Sequence, residues 1–304
     1  MNRDSIDFEN GQVSVLFRKL LIPTLLGTLA MSAVVAIDGI FIGHGVGVEG
    51  VAAVNIVLPT NLIISGIGLM LGIGCSVISS IHSSHQNLKA ARLNITQSIA
   101  ISTIFSLLLL IVTSAFPKQI ALLLGASDTL IPQVLDYMKW IMPSFLFQLW
   151  SAIGLFIIRL DGSPNYAMWC NLVPAALNVV LDWLFIYPLS MGVEGAAIAT
   201  FLSIATGGIM ALVYLLFFAD SLRFACLKIS RKSVLLTIRN IGYQCKIGIS
   251  TLFGELTMAV LIFVGNLVFM KILGDVGVGA FGIACYYAPF FFMIGNAVAQ
   301  AAQI

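Results

Sequence analysis

The chain has 304 residues, of which 60% are hydrophobic and only 9% are charged, and its mean hydropathy is +1.05. A soluble domain of this size would lack the polar surface to cover such an apolar interior, so soluble classes are excluded. The formal net charge is only +2 and its 15 basic residues form no patch suited to nucleic acid. The composition fits an all-α, polytopic integral membrane protein in a lipid bilayer.

Eight apolar segments are long enough to cross about 30 Å of hydrocarbon, which takes about 20 helical residues. We predict membrane-spanning helices over residues 20–42, 51–81, 93–116, 130–158, 165–188, 193–218, 247–270 and 279–304. Pro59 and Pro143 fall inside the second and fourth of these and mark expected kinks. No cleavable signal peptide is expected, because the first apolar run is too long for one.

The distribution of Lys and Arg predicts the orientation. With the N-terminus in the cytoplasm, 12 of the 15 basic residues fall on the inner side, as the positive-inside rule requires. Residues 219–246 hold six of these twelve, interleaved with apolar residues. This stretch is typical either of an amphipathic helix on the inner membrane surface or of a solvated basic linker.

Cysteine and histidine give no sign of a metal centre or of catalysis. The five cysteines are irregularly spaced in or beside apolar runs, so we expect neither disulfides nor a metal site. His82 and His85 have HxxH spacing but lie in a predicted inner loop. The third histidine, His44, is not at membrane depth either. A membrane-embedded enzyme such as a lipid acyltransferase, which would need a nucleophile beside a histidine, is therefore not expected.

An internal repeat predicts the domain organisation. A shift of 227 residues places positions 22–56 on 249–283, with 11 of 35 identical and no gap. We therefore expect a cytoplasmic N-terminus (1–19), a first six-helix lobe (20–218), a basic linker (219–246) and a repeated second lobe from 247. Repeats with an even number of helices share one orientation. The second lobe is expected to be incomplete, with two helices before the sequence ends at residue 304.

Three carboxylates are predicted to lie at bilayer depth, namely Asp38, Asp182 and Glu255. A charge at this depth costs at least about 2.5–3.5 kcal/mol, so each is a candidate functional group. Asn178 lies one helical turn before Asp182, and Thr200 can hydrogen-bond across a helix interface. Two neighbouring carboxylates away from water cannot both ionise cheaply, so a proton and a cation would compete for them. The alternative is that each acid only makes hydrogen bonds between helices.

Two further features receive structural interpretations. Asp161 follows Arg159 at the membrane edge and is expected to make a local polar turn. The aromatic run 286–292 could line a cavity for flat compounds, but lipid-facing packing is favoured. The buried charges are all expected to be acidic.

Four stretches carry a family resemblance: AIDGIFIG at 36–43, RLDGSP at 159–164, LNVVLDWLFI at 177–186 and MGVEGAAIAT at 191–200. The chain resembles the multidrug and toxic compound extrusion (MATE) family, in its DinF- and MepA-like branch. The resemblance implies two six-helix lobes forming a V in the bacterial cytoplasmic membrane. The expected activity is export of small cationic organic compounds in exchange for H⁺ or Na⁺, by a monomer without cofactors.

The same resemblance assigns roles to the candidate residues. Asp38, Asn178, Asp182 and Thr200 match the family's first-lobe cluster for coupling and substrate binding. Glu255 matches an acidic position of a second-lobe cation site, and no metal other than Na⁺ is implied. We expect helices nine to twelve of that family to be missing here, which leaves a transport-incompetent fragment as one alternative. A lipid-linked saccharide flippase of the same superfamily is another, although its phosphorylated substrate would call for a cationic cavity.

Overall fold

The computed structural model describes residues 13–225 and 230–302, with the side chains of 13, 232, 288–293 and 296 left out. The helices are α1 (Val13–Gly45), α2 (Val48–Ser84), α3 (Leu88–Ala115), α4 (Pro117–Leu123), α5 (Ile131–Leu160), α6 (Pro164–Ile186), α7 (Gly192–Val213) and α8 (Arg231–Ala302). A single π-helical turn, Tyr214–Phe218, extends α7. All but α4 are long and apolar enough to span a membrane, which confirms the polytopic all-α class.

The long helix α8 contains both predicted second-lobe spans. Its backbone leaves the helical conformation at Gly274, where φ is 66° and ψ is −153°. The rings of Phe269 and Phe281, on either side of this break, stack with centroids 5.0 Å apart. The arms 231–273 and 275–302 therefore fold back on each other as a hairpin, in agreement with two separate spans.

The break in α8 has a counterpart 227 residues earlier. Gly47 joins α1 to α2 with φ of 97° and ψ of −172°, in the same positive-φ region as Gly274. This region is open to glycine and costly for residues with a Cβ. The repeat predicted from sequence thus coincides with a shared backbone conformation at the turn between its first two helices.

The hairpin joins the first lobe mainly through α2, which packs antiparallel to the first arm of α8. Gly74 lies against the backbone of Gln244, and Gly248 lies against the backbone of Met70. A Cβ on Gly74 would come within 2.6 Å of the Gln244 Cα. Small residues at a membrane helix crossing allow such close approach.

Within the first lobe, α5 is central and packs against α2, α3 and α7. It carries large side chains with almost no exposure, namely Ile141, Phe145, Leu149, Ile153 and Phe156. The helix α6 packs between α1 and α7, and this arrangement brings the acid-bearing faces of α1 and α6 together. Pro59 and Pro143 lie inside helices that continue through them, and the kinks expected there stay predictions.

The loops define two ends of the bundle. One holds the turn at Gly47 and the break at Gly274, and the other holds the α5–α6 turn and the start of the linker. We call them the outer and inner ends, following the orientation predicted from charge, which stays a prediction. At the outer end, Asp275 accepts hydrogen bonds from Ser127 (2.7 Å) and Thr129 (2.6 Å) in the loop before α5.

Asp161 fastens the linker to the first lobe. It is only 6% exposed, and its carboxylate accepts the Tyr214 hydroxyl at 2.9 Å. It also accepts the backbone N–H groups of Asp220 (3.2 Å), Ser221 (3.2 Å) and Leu222 (3.1 Å). The predicted local turn is present, with the Gly162 N–H donating to the Arg159 carbonyl at 3.0 Å. In addition, the Asp161 carboxylate bonds to residues about 60 positions later in the chain.

Part of the predicted linker belongs to α8. The helix begins at Arg231, and Gln244 is fully buried against α3. The Gln244 amide donates to Asn94 at 2.7 Å and accepts from Ser98 at 2.9 Å. From Arg231 onward the segment is helical and most of its described side chains are exposed, with Gln244 as its buried contact. Its location on the inner membrane surface stays a prediction. Lys228 and Cys226 lie outside the described residues, and the other four cysteines are free thiols.

Candidate functional site

The structure brings two of the predicted acids together. Asp38 lies two turns before the outer end of α1, and Asp182 lies one turn before the outer end of α6. Asp182 is fully buried. The two carboxyl groups interact directly with each other. They form a pair, which we call the acid pair, in the outer half of the bundle.

Three oxygens of the acid pair are buried without a hydrogen-bond partner among the described residues: Asp38 Oδ1, Asp182 Oδ1 and Asp182 Oδ2. Ionised carboxylates only accept hydrogen bonds, so the two groups can bond to each other only when one carries a proton. Each buried acceptor left unsatisfied costs about 1–3 kcal/mol, and more when it is charged. The arrangement is therefore suited to holding a proton or another cation.

The other two first-lobe candidates lie on the neighbouring helices. Asn178 is 4% exposed and precedes Asp182 by one turn on the buried side of α6. Thr200 is half-buried on α7, and its backbone carbonyl accepts the hydroxyl of Ser203 at 2.9 Å. In the described part of the chain the Thr200 hydroxyl makes no hydrogen bond. The structure assigns no role to either residue.

Two tyrosines that were not predicted as site residues adjoin the acid pair. Tyr137, on α5, is 7% exposed and interacts electrostatically with both acids. Tyr286, on the second arm of α8, is 8% exposed and interacts with the same two acids and with Tyr137. The lipid-facing interpretation of the aromatic run is therefore wrong for Tyr286. The side chains of 290–292 lie outside the described set.

Sequence offered a weak signal for Tyr137 and almost none for Tyr286. A phenol inside a membrane helix needs a polar neighbour for its hydroxyl, which marks Tyr137 within its apolar run. Tyr286 stands in a cluster of aromatic residues that equally suits lipid contact. Its counterpart in the repeat is Pro59, so the repeat gave no help.

Glu255 lies apart from the acid pair. It is half-buried on the first arm of α8, where its Cβ would lie 2.9 Å from a Cβ placed on Gly66 of α2. Neither Asp38 nor Asp182 is among the groups that interact with it. Across residues 13–225 and 230–302, no group of three or more His, Cys, Asp and Glu side chains could hold a metal ion.

One basic residue is also buried. Arg159, at the inner end of α5, is 2% exposed, and its guanidinium lies 5.7 Å from the ring centre of Phe156. It donates to the side-chain oxygen of Gln300 on the second arm of α8 at 3.1 Å. The expectation that the buried charges are all acidic is therefore wrong. Arg159 is 22 residues from Tyr137, about 33 Å along the helix, so it stands well away from the acid pair.

Residues 23–184 match the MatE family. The multidrug export protein MepA of Staphylococcus aureus MSSA476 is 27% identical over 208 residues, covering 68% of this chain and 46% of that protein. MepA of Staphylococcus haemolyticus JCSC1435 is 26% identical over 279 residues, covering 91% and 60%. The chain thus spans about half the length of these relatives.

A solved structure of the MATE multidrug transporter DinF-BH, in complex with a dye, superposes with a TM-score of 0.86. It is 27% identical in sequence, and the superposition covers 99% of this chain and 66% of that one. The family match, residues 23–184, takes in more than half of the chain and includes both members of the acid pair. The chain therefore belongs to the MatE family of membrane transporters.

Proposed function

We propose that the chain carries the first lobe of a secondary active antiporter that exports small cationic organic compounds in exchange for H⁺ or Na⁺. The observation that carries this proposal is the buried acid pair, with three oxygens that lack hydrogen-bond partners in the described residues. The names of relatives support it, since MepA is a multidrug export protein and DinF-BH was solved with a dye bound. We place the protein in a bacterial cytoplasmic membrane, as a monomer with a cytoplasmic N-terminus.

Exchange follows from competition at the acid pair. With both groups ionised, the pair carries two negative charges in a setting of low dielectric, where attraction to any cation is strong. A bound proton removes one of these charges and so weakens the hold on an organic cation or Na⁺. Because proton and substrate exclude each other, loading one from one side of the membrane drives release of the other.

The surroundings of the acid pair favour an organic cation over a phosphorylated lipid. The described charges at the pair are negative, and the buried Arg159 is about 33 Å away along α5. The rings of Tyr137 and Tyr286 supply faces on which an aromatic cation could stack. We further propose that Asn178 and Thr200 contribute polar contacts to the substrate, and that Glu255 belongs to a separate cation site.

The proposal is tested in reconstituted vesicles with either a pH gradient or a Na⁺ gradient imposed, using an ethidium-type dye as substrate. We expect one of these gradients to drive dye movement, Asp182→Asn to abolish it, and Asp38→Asn to remove its pH dependence. The matched control is Asp136→Asn, which alters an exposed carboxylate next to Tyr137.

The outcomes separate the alternatives. If neither gradient moves dye, this chain does not transport by itself. If Asp182→Asn keeps wild-type transport, the acid pair is structural and not the coupling site. Movement of a lipid-linked saccharide without dye movement would establish the flippase alternative.

A further inference from the structure

Among the described side chains of the α8 hairpin, Tyr286 interacts electrostatically with both members of the acid pair. Asp38, Asp182 and Tyr137 all come from the six-helix first lobe, whereas Tyr286 comes from the second arm of α8. Its ring lies directly over Gly39, the neighbour of Asp38. A Cβ added to Gly39 would meet three ring atoms at 2.5–2.9 Å. The missing side chain at Gly39 is what leaves room for the tyrosine.

The hydroxyl of Tyr286 can donate a hydrogen bond to an ionised carboxylate, a bond that is not formed in this structure. It is buried and has no hydrogen-bond partner among the described residues, like three of the four oxygens of the acid pair. The titratable groups facing it are Asp38 from α1, Tyr137 from α5, Asp182 from α6 and its neighbour Cys285. A phenol donates well to an ionised carboxylate and loses that acceptor once the carboxylate is neutralised and bonded elsewhere.

We propose that Tyr286 is a positioning residue that links the α8 hairpin to the charge of the acid pair, donating its hydroxyl hydrogen bond when the pair is ionised and releasing it when the pair is protonated. The hairpin then has a contact with the first lobe whose strength depends on proton occupancy. The link to transport rests on the proposed function, whereas the effect on proton binding does not.

The proposal predicts the direction of a shift in proton binding. A hydrogen bond to the ionised form stabilises that form, so its removal lets the pair keep its proton to higher pH. A charge-assisted hydrogen bond of ordinary strength corresponds to a shift of about one pH unit. Tyr286→Phe removes the hydroxyl and keeps the ring, and should raise the pH of half-protonation by that amount.

The measurement is a pH titration of the carboxylic-acid C=O band by infrared difference spectroscopy on the full chain in lipid, with no substrate present. The band is assigned to the pair by its loss in Asp182→Asn. Gly39→Ala provides a second variant, because the added methyl group displaces the ring while the hydroxyl stays in the chain. We expect it to shift the titration in the same direction.

Two matched controls should titrate like the wild type. Tyr287→Phe removes the hydroxyl of the adjacent tyrosine, which is 47% exposed. Gly43→Ala adds a methyl group one turn further along α1, where the nearest atom is Val51 Cγ2 at 3.8 Å. A shift in Tyr286→Phe and Gly39→Ala but in neither control supports the proposal.

Other outcomes overturn it. Unshifted titration in Tyr286→Phe, or an equal shift in Tyr287→Phe, shows that the Tyr286 hydroxyl does not act on the pair. If one of the two test variants fails to fold, as judged by thermal unfolding in detergent, the other decides. Because the titration uses no substrate, an absence of dye transport would count against the proposed function and leave this result standing.

Discussion

Because α2 and α8 cross so closely, we expect Gly248→Ala to destabilise the protein. The new Cβ would lie 2.7 Å from both the Cα and the carbonyl carbon of Met70. Carbon atoms in ordinary contact are about 3.5 Å apart or more. The obstructing atoms belong to the backbone of α2, so no side-chain rotation can relieve the overlap.

The helices must therefore separate by about 1 Å, which loosens the packing that joins α8 to the first lobe. Overpacking of this kind destabilises by roughly 1–3 kcal/mol. The control is Gly254→Ala on the same arm of α8, where a Cβ would meet nothing within 4 Å. Both changes gain up to about 1 kcal/mol of helix propensity, so their difference isolates the clash.

Thermal unfolding in detergent, followed by circular dichroism, measures this difference. We expect the melting temperature to fall by several degrees in Gly248→Ala and to stay level or rise in Gly254→Ala. Equal melting temperatures in the two variants would refute the argument, because they would show that α2 and α8 do not touch at Gly248.

Three further predictions concern a contact at the inner end, a contact between α2 and α8 in the outer half, and a contact at the outer end of the molecule. Asp161→Ala should speed limited trypsin digestion of the linker, since it removes the carboxylate that holds three backbone N–H groups; Glu49→Ala, at an exposed position, should not. Asn55→Ala and Asn266→Ala should each lower stability by about 1–3 kcal/mol, because the two buried amides bond at 2.6 Å. Their double variant should lose less than the sum, and full additivity would contradict a direct bond. Asp275→Ala should lower the free energy of unfolding by less than about 1 kcal/mol, because its carboxylate is partly exposed. A decrease as large as that of the asparagine variants would contradict this prediction.

The sequence predicted the helices better than it predicted their ends. Apolar runs report where the chain meets hydrocarbon, and these runs match the long helices well. A helix does not stop where the hydrocarbon stops, so α1 begins at Val13 and not at residue 20. For the same reason α8 begins at Arg231, within what reads as a polar linker.

The break at Gly274 was predictable because the backbone there repeats a requirement met at Gly47. A positive φ restricts the residue type, and such a restriction leaves a trace in the sequence. Contacts between distant side chains leave no such trace. The bond between Asn55 and Asn266 joins residues 211 positions apart and follows only from how α2 and α8 pack.

The residues of the candidate site show the same difference between what the sequence reveals and what only packing determines. Asp38 and Asp182 could be found because a charge is costly in a membrane and so stands out in any apolar run. Tyr286 could not, because an aromatic side chain is at home both in lipid and in a protein core. Which of these surrounds it depends on Gly39, a residue of a different helix.

The single-residue turn at Gly274 also gives the second arm of α8 the geometry of a lever. Asp275, held by the loop before α5, stands at the pivot, and Tyr286 lies 11 residues further on, about 16 Å along the arm. A rotation of about 10° at Gly274 would move Tyr286 by about 3 Å, the length of a hydrogen bond. Asp275 would hardly move at all. The hairpin can thus move the Tyr286 ring away from Gly39 while Asp275 keeps its hydrogen bonds to the first lobe.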